Sequence, residues 1–143
     1  MIMISRRAVL AAVLALPGVA HAVEPAPGTA LRKAVLDAMR PTTERELGPP
    51  IQYVIKGMNV EGDVAFVLAT PQRMNGKAID WKAFPFAQTM EAGSMSDEIA
   101  ALLMKEGGVW RVKEYAFGST DVPWIGWPQK HRFPERLITE TFR

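Results

Sequence analysis

Cysteine is absent from all 143 residues of the chain. This absence excludes a disulfide scaffold, a thiolate metal site, a thiol nucleophile and a lipid-anchored N-terminal cysteine. Histidine is almost as scarce, since the chain contains only His21 and His131. Lys130 and Arg132 flank His131, and their positive charge disfavours the binding of a metal cation there. We therefore expect neither a metal site nor a bound cofactor.

Long basic runs and long apolar runs are also missing. The formal net charge of +2 comes from 17 Lys and Arg against 15 Asp and Glu. Arg6 and Arg7 supply the whole excess, because the first 22 residues hold no acidic side chain. No basic run of five or more residues is present, which argues against nucleic acid as a partner. No stretch after residue 22 has the length of a transmembrane helix, so we expect no membrane span in the mature chain.

The first 22 residues have the pattern of an export signal. Arg6 and Arg7 precede a continuous apolar run over residues 8–16, which is too short to span a bilayer. A Pro-Gly pair ends the run, and a small-x-small cleavage site ends at Ala22. We predict a signal peptide over residues 1–22, cleavage after Ala22 and a periplasmic mature protein. The arginine pair also resembles a twin-arginine motif, and both the twin-arginine and the Sec routes remain open.

The remainder of the chain is organised as one domain. Residues 23–28 are rich in proline and are predicted to form a flexible lead, and residues 29–143 form the single domain. Thr29 is a candidate N-cap for a helix whose apolar residues follow helical spacing. Pro41 is expected to stop or kink this helix, and a second short turn is predicted over residues 42–47.

Two strands are predicted after the helix. An apolar, β-branched run begins at Ile51, and Gly57 interrupts it, which predicts a strand with a bulge. A turn at Glu61 and Gly62 separates this strand from residues 63–70. That second run is almost wholly apolar, which predicts a strand covered on both faces.

The clearest hairpin in the chain joins residues 97–105 to residues 109–117. A glycine pair between them supplies the positive φ angles that a tight hairpin turn needs. The connection over residues 71–96 shows no periodicity, and we predict one short strand within it, over residues 79–81.

The last segment predicts a docked tail. Residues 118–143 include two tryptophans and two prolines within eight residues, and Pro134 can begin a last helical turn. The order helix, hairpin, connection, hairpin and tail predicts an α+β domain. We expect the N-terminal helix to pack on a curved antiparallel sheet of about four to six strands, with the C-terminal tail docked on this body.

A resemblance supports this layout. Residues 102–118, LLMKEGGVWRVKEYAFG, resemble the closing hairpin of cystatin-like and NTF2-like α+β domains. The element order over residues 29–118 is also similar to that of small secreted proteobacterial proteins of this general type. The resemblance implies a helix lying across a curved sheet. It carries over no catalytic residue, because this superfamily ranges from isomerases to pure binding modules.

Tryptophan is the residue type that we expect to bind a ligand. Trp81, Trp124 and Trp127 lie in the connection and the tail, where aromatic side chains can line a groove. Asp121 and Arg132 lie near the tail pair in sequence and would add polar contacts. We predict that these five residues contribute to a ligand-binding surface.

The sequence contains no recognisable catalytic constellation. No serine has the G-x-S-x-G surroundings of a nucleophile elbow, and we assign no catalytic residue. Glu114 is expected to face solvent beside a lysine. An enzyme with an acidic base remains an alternative, with Asp80 or Asp121 as the carboxylate.

Methionine leaves a weaker alternative, because thioethers can bind Cu(I) in an oxidising compartment. Met74, Met90 and Met95 would supply the sulfur atoms for such copper handling.

The missing catalytic constellation and the surplus of tryptophan favour a non-enzymatic function. The leading hypothesis is an exported binding or accessory module of the periplasm, monomeric or homodimeric, that binds an unknown small molecule or periplasmic protein. The main alternative is a small cavity enzyme of isomerase or hydrolase type. A cavity between helix and sheet with an acid at its floor would favour the enzyme, and a packed core would favour the binding module.

Overall fold

The computed structural model describes residues 21–84, 96–118 and 121–142. The first range contains helix α1 (Ala30–Leu47) and strands β1 (Gln52–Glu61) and β2 (Val64–Gln72). The second contains strands β3 (Ile99–Glu106) and β4 (Val109–Phe117). The third contains the short helices α2 (Trp127–His131) and α3 (Arg136–Thr139), with 3₁₀ turns at Pro123–Gly126 and Glu140–Phe142.

The four strands form one antiparallel sheet in the order β1-β2-β3-β4, so each strand pairs with the next one in sequence. Both hairpin turns fall at the predicted glycines. Gly62 has a φ of 57°, and Gly107 and Gly108 have φ values of 57° and 79°, which glycine adopts at little cost. One helix with a four-stranded antiparallel sheet confirms the prediction of an α+β fold.

Helix α1 begins at the predicted N-cap, where the Thr29 hydroxyl accepts a hydrogen bond from the backbone N–H of Arg32 at 3.4 Å. Of the two effects predicted for Pro41, a stop or a kink, the stop does not occur, and residues 42–47 belong to α1 rather than to a separate turn. Pro41 is exposed, and the buried stripe of the helix continues past it. Packing of this stripe offsets the roughly 3 kcal/mol that an internal proline costs. The stripe consists of Val35, Met39, Thr43 and Leu47.

Each edge strand carries a β-bulge, which reverses the alternation of its side chains. In β1, the register against β2 shifts between Ile55 and Gly57, which leaves Lys56, beside the glycine that predicts a bulge, as the extra residue. In β4, the register against β3 shifts between Val112 and Glu114, which leaves Lys113 as the extra residue. The side chains beyond each bulge therefore face the opposite way from what strict alternation predicts.

Packed side chains cover both faces of the sheet. One face and α1 enclose the helix-side core, which includes Val35, Met39, Met58, Val67, Leu103 and Trp110. Residues 121–142, which we call the tail, cover the other face and enclose the tail-side core, which includes Phe66, Leu102, Trp127, Phe133, Leu137 and Ile138. Strand β2 contributes to both cores, as its apolar sequence predicts.

The strand predicted over residues 79–81 is absent. Ala78 makes one isolated bridge to Gln72, and the chain then forms a 3₁₀ turn over Trp81–Ala83. Ile79 is buried in a small third cluster at the end of α1. The apolar side chain at this position therefore serves packing rather than strand pairing.

The lead over residues 23–28 is held to the domain by hydrogen bonds. Val23 and Val60 exchange backbone hydrogen bonds of 2.8 Å along the edge of β1 that does not pair with β2. Arg32 Nη1 donates to the carbonyl oxygen of Pro25 at 3.0 Å. Among the residues that the structure describes, no helix has the length and apolarity needed to cross a membrane.

Candidate functional site

The tail brings two of the predicted tryptophans onto the sheet. Trp127, at the start of α2, is 7% exposed and packs against Phe66 of β2, with ring centroids 6.3 Å apart. Trp124 is half-buried and contacts the same ring at 5.8 Å. Phe142 stacks on Trp124, with centroids 5.5 Å apart and an interplanar angle of 20°. Trp127 is therefore a packing anchor, whereas part of Trp124 remains accessible.

A pocket of about 220 Å³ opens beside Trp124 on the surface of the tail. Its walls come from the segment around the start of α2 and from α3 and the residue before it. The apolar lining residues are Val122, Trp124, Ile125, Pro128 and Ile138. Glu135 and Thr139 add a carboxylate and a hydroxyl. We call this site the Trp124 pocket.

The surroundings of the Trp124 pocket are apolar and open to solvent. Ile125 is 78% exposed and Val122 is 51% exposed. Phe142 is also half exposed, and it extends the surface from its stacked position on Trp124. Single exposed apolar side chains are common, but a contiguous apolar patch with polar neighbours is typical of a binding surface.

Polar contacts fasten α3 and the turn after it to strand β1. The buried Asn59 carboxamide, oriented to satisfy both partners, accepts from the Thr141 N–H at 3.0 Å and donates to the Met58 carbonyl oxygen at 3.1 Å. Arg136 Nε donates to Glu61 Oε1 at 3.0 Å, and the Glu61 side chain is 8% exposed. These contacts hold the α3 wall of the pocket in place.

Gly57 permits the close approach of this last turn to β1. A Cβ atom at Gly57 would lie 2.8 Å from the carbonyl oxygen of Thr141 and would overlap its Cγ2 atom. The glycine that predicts a bulge therefore also makes room for the tail.

Glu114 fastens α2 at the opposite edge of the sheet. Its Oε1 lies 2.9 Å from His131 Nε2 and also accepts a hydrogen bond from Lys130. The bonds from Lys130 and His131 hold the pKa of the Glu114 carboxyl below its ordinary value. The expectation that Glu114 faces solvent does not hold, because the bulge at Lys113 turns it toward α2 and leaves 22% of its side chain exposed.

Of the five predicted ligand-binding residues, Trp124 alone lines this pocket. Trp127 is buried beneath the tail, and Asp121 and Arg132 are exposed outside the lining. Trp81 packs against Phe117, with ring centroids 6.2 Å apart, in the cluster at the end of α1. The structure therefore brings the two tail tryptophans together and leaves Trp81 apart from them.

The carboxylates of the enzyme hypothesis lie on the surface. Asp80 is exposed at the start of the turn over Trp81–Ala83, and Asp121 is exposed at the start of the tail. The space between α1 and the sheet is occupied by the buried side chains of the helix-side core. Neither acid therefore lies at the floor of a cavity there.

Two of the three methionines of the copper hypothesis lie outside the residues that the structure describes. Met74 is 60% exposed, and Met90 and Met95 lie outside the described residues. No group of three or more His, Asp or Glu side chains that could hold a metal ion occurs within residues 21–84, 96–118 and 121–142.

The sequence pattern does not point to Val122, Ile125 and Ile138, which line the Trp124 pocket together with Trp124. One signal could have found Ile125. Trp124 and Trp127 are three residues apart, so they share one side of a helical turn, and the two residues between them, Ile125 and Gly126, project elsewhere. Ile125 therefore points away from the packed side of the turn, and the glycine after it has no side chain that could cover it.

Comparison with known proteins gives no assignment. No protein-family model, curated protein or solved structure matches the chain.

Proposed function

We propose that the chain is an exported, non-enzymatic binding module that captures an apolar side chain of a periplasmic partner protein in the Trp124 pocket. The observation that carries this proposal is the exposed apolar wall, where Ile125 is 78% exposed beside a half-buried tryptophan. Tryptophan is among the residues that most often dominate the binding energy of protein interfaces. The signal pattern over residues 1–22 supports export to the periplasm.

The volume of the Trp124 pocket limits the size of its ligand. Clefts that bury a drug-sized molecule have volumes of roughly 300–1,000 Å³, whereas a cavity of about 150 Å³ holds one benzene ring. At about 220 Å³, the pocket accommodates one aromatic ring or one branched aliphatic group. A single anchoring side chain has this size, which favours a protein partner over a larger small molecule.

The surface around the pocket also favours a protein partner. Val122 and Phe142 are half exposed, and they extend the apolar surface so that a flat partner can cover it. Glu135 contributes a carboxylate to the lining, which can accept a hydrogen bond from an N–H group or pair with a cation. The partner is therefore expected to present an apolar anchor beside a hydrogen-bond donor or a cationic group.

Titration with indole, a ring-sized apolar probe, tests this proposal. In the chain that begins at Val23, we expect NMR signals of the Trp124 ring and the Ile125 methyl groups to shift, with a Kd on the order of millimolar. Ile125→Glu places a charge on the pocket wall and should abolish the shift of the Trp124 ring signals, which are present in both proteins. Val109→Glu is the matched control, because Val109 is 52% exposed on the β3–β4 hairpin and does not line the pocket.

Two outcomes would overturn the proposal. In the first, indole shifts the Trp124 ring signals of the Ile125→Glu protein as far as those of the wild type. In the second, light scattering finds a dimer that Ile125→Glu dissociates, which means that a second copy of the chain fills the pocket. The proposal is supported if the wild-type chain is a monomer that binds indole, if Ile125→Glu abolishes this binding, and if Val109→Glu leaves it unchanged.

For the fold, we propose a domain of the cystatin-like or NTF2-like type. A single helix followed by a four-stranded antiparallel meander supports this assignment. The cavity enzyme is not proposed, since Asp80 and Asp121 are exposed and the helix-side core is packed. Binding modules within this fold type need no catalytic residue, which agrees with a function based on the pocket.

A further inference from the structure

Glu61 has a buried carboxylate oxygen without a partner. Its Oε1 accepts hydrogen bonds from Arg136 of α3, with Nε at 3.0 Å. Its Oε2 is buried, and no donor among the described residues reaches it. The side chain as a whole is 8% exposed. A buried carboxylate oxygen that makes no hydrogen bond bears a desolvation cost, and native structures rarely leave one in this state.

The N-terminal lead passes the same end of β1. Val23 and Val60 exchange both backbone hydrogen bonds, each 2.8 Å long. In an antiparallel ladder the residues that flank such a pair lie directly opposite each other, so Ala22 faces Glu61 with Cα atoms about 4.5 Å apart. Both side chains lie on the tail side of the sheet, because Ala22 packs against the tail-side core and Glu61 pairs with Arg136.

We propose that Glu61 binds the new N-terminus that export creates. Hydrolysis of the Ala22–Val23 peptide bond consumes one water and leaves a carboxylate on Ala22, which departs with the leader, and an amine on Val23. An α-amine has an ordinary pKa of about 7.7–8.0, so it is largely protonated at neutral pH. The Val23 ammonium keeps its hydrogen bond to the Val60 carbonyl oxygen, and one of its two further N–H groups donates to Glu61 Oε2.

The site fits an ammonium in both space and charge. Departure of Ala22 vacates the position opposite Glu61, and the positive charge appears at that same position. Glu61 then has a cation on each oxygen, with Arg136 on Oε1 and Val23 on Oε2, and such charge-assisted hydrogen bonds are stronger than neutral ones.

Cleavage is thereby linked to the stability of the binding site. Arg136 is the first residue of α3, which forms one wall of the Trp124 pocket, so the cleaved chain holds that wall more firmly than the precursor does. This role of Glu61 rests on the export and cleavage that form part of the proposed function, and it does not depend on what the pocket binds.

A double-mutant cycle tests the pairing. Chains that begin at Val23 or at Ala22 are released from a fusion partner, each with Glu61 and with Glu61→Gln. We expect NMR titration to find that the Val23 amine of the wild-type chain holds its proton about tenfold more tightly than an ordinary N-terminus. In Glu61→Gln the amine should titrate in the ordinary range.

Urea unfolding measures how much the pairing of Val23 with Glu61 stabilises the fold. We expect the chain that begins at Val23 to unfold at higher urea concentration than the chain that begins at Ala22, and Glu61→Gln to remove this difference. Pairing raises the pKa of the amine in the folded state. The added stability is therefore fully present below the pKa of about 7.7–8.0 that the amine has in the unfolded chain. It is lost as the pH rises through the pKa of the amine in the folded chain.

Controls separate this pairing from general effects of charge. Asp63→Asn removes an exposed carboxylate from the same hairpin and should leave the titration of the amine unchanged. If Glu61→Gln fails to fold, Arg136→Gln replaces it, and there the amine should still bind its proton more tightly than an ordinary N-terminus. An amine that titrates in the ordinary range in the folded wild-type chain overturns the proposal.

The failure of this proposal is distinguishable from that of the proposed function. N-terminal sequencing of the exported protein tests whether cleavage occurs after Ala22, whereas the prepared chains test the pairing at Glu61 directly. Indole binding tests the Trp124 pocket, and it is measured on the NMR signals of Trp124 and Ile125 rather than on the titration of the Val23 amine.

Discussion

The two faces of the sheet are covered in different ways. One helix of 18 residues covers the first face, and a continuous set of buried apolar side chains lies beneath it. Two helices of five and four residues cover the second face. These short helices are fastened by polar contacts at both edges of the sheet, at Asn59 and Glu61 on β1 and at Glu114 on β4.

This difference explains where a binding site can form. Helices shorter than about 12 residues have little stability of their own, so the tail depends on Phe66 and on its polar fastenings to remain docked. Short elements also leave gaps between one another, and the Trp124 pocket is such a gap. The side of the sheet with the less continuous cover therefore carries the candidate site.

Among the variants described below, Phe66→Ala should destabilise the docked tail the most. Phe66 is fully buried and contacts Trp124, Trp127 and Phe142, so its removal leaves a cavity under the tail. We expect a loss of about 3–5 kcal/mol in the free energy of unfolding, measured in urea. In hydrogen exchange, the tail amides should lose protection before those of α1.

Met39→Ala is the matched change on the helix side, because Met39 is equally buried. A loss of about 2–5 kcal/mol is expected, with α1 losing protection together with the sheet. If the tail and α1 lose hydrogen-exchange protection equally in both variants, the tail does not depend more than α1 on Phe66, and the two faces are not covered in different ways.

Gly57→Ala tests the close approach of the last turn to β1. The added Cβ would overlap Thr141, so the turn must shift, and we expect a loss of about 1–3 kcal/mol. Thermal unfolding measures the loss, and reduced indole binding should accompany it if the α3 wall moves. Gly126→Ala is the control, because a Cβ at Gly126 meets no atom within 4 Å.

Glu114→Gln tests the fastening at the β4 edge. The pKa of this carboxyl is lowered in the folded protein, first by Lys130 and then by His131, so its ionised form stabilises the fold above the unfolded pKa of 4.5. That contribution is lost as the pH falls through the folded value. We expect Glu114→Gln to lower stability by about 1 kcal/mol or less at pH 7, and the difference from wild type to shrink in acid.

The control for this change is Glu106→Gln, because the Glu106 carboxylate also pairs with a lysine, Lys113, but is more exposed than that of Glu114. Urea unfolding between acid and neutral pH measures both variants. A difference between Glu114→Gln and wild type that stays constant down to pH 2 would show that the charge of Glu114 plays no part.

Ile125→Glu should have the smallest effect on stability. Because Ile125 is so exposed, we expect a change within about 0.5 kcal/mol in urea unfolding. The same variant should abolish indole binding, so this position separates the binding surface from the fold. A large loss of stability would instead assign Ile125 to the tail-side core.

Patterns between neighbouring residues predict much of the fold. The apolar run in β2 predicts burial on both faces, and Gly57 predicts the bulge in β1. The glycine pair at Gly107 and Gly108 predicts the β3–β4 hairpin. Each of these features depends on side-chain period or on backbone conformation within a few residues.

Features that depend on distant residues could not be predicted in the same way. Pro41 does not end α1, because packing against the sheet outweighs its local cost. Glu114 meets α2 because a bulge reverses its direction, and no glycine marks that bulge. The Trp124 pocket depends on how two separate segments of the tail dock side by side, which the spacing of tryptophans does not specify.

The position of the tail in the chain has a consequence for biosynthesis. The sheet is complete at Phe117, but the side chains of Phe66 and Leu102 lack the cover of Trp127 and Leu137 until the residues after Pro123 are made. The contact between Asn59 and Thr141 spans 82 residues, so it is among the last to form. A chain interrupted between these points would hold a finished sheet with one bare apolar face, which is a surface prone to aggregation. In the newly made protein, residues 124–142 therefore cover this apolar face, in addition to forming most of the pocket.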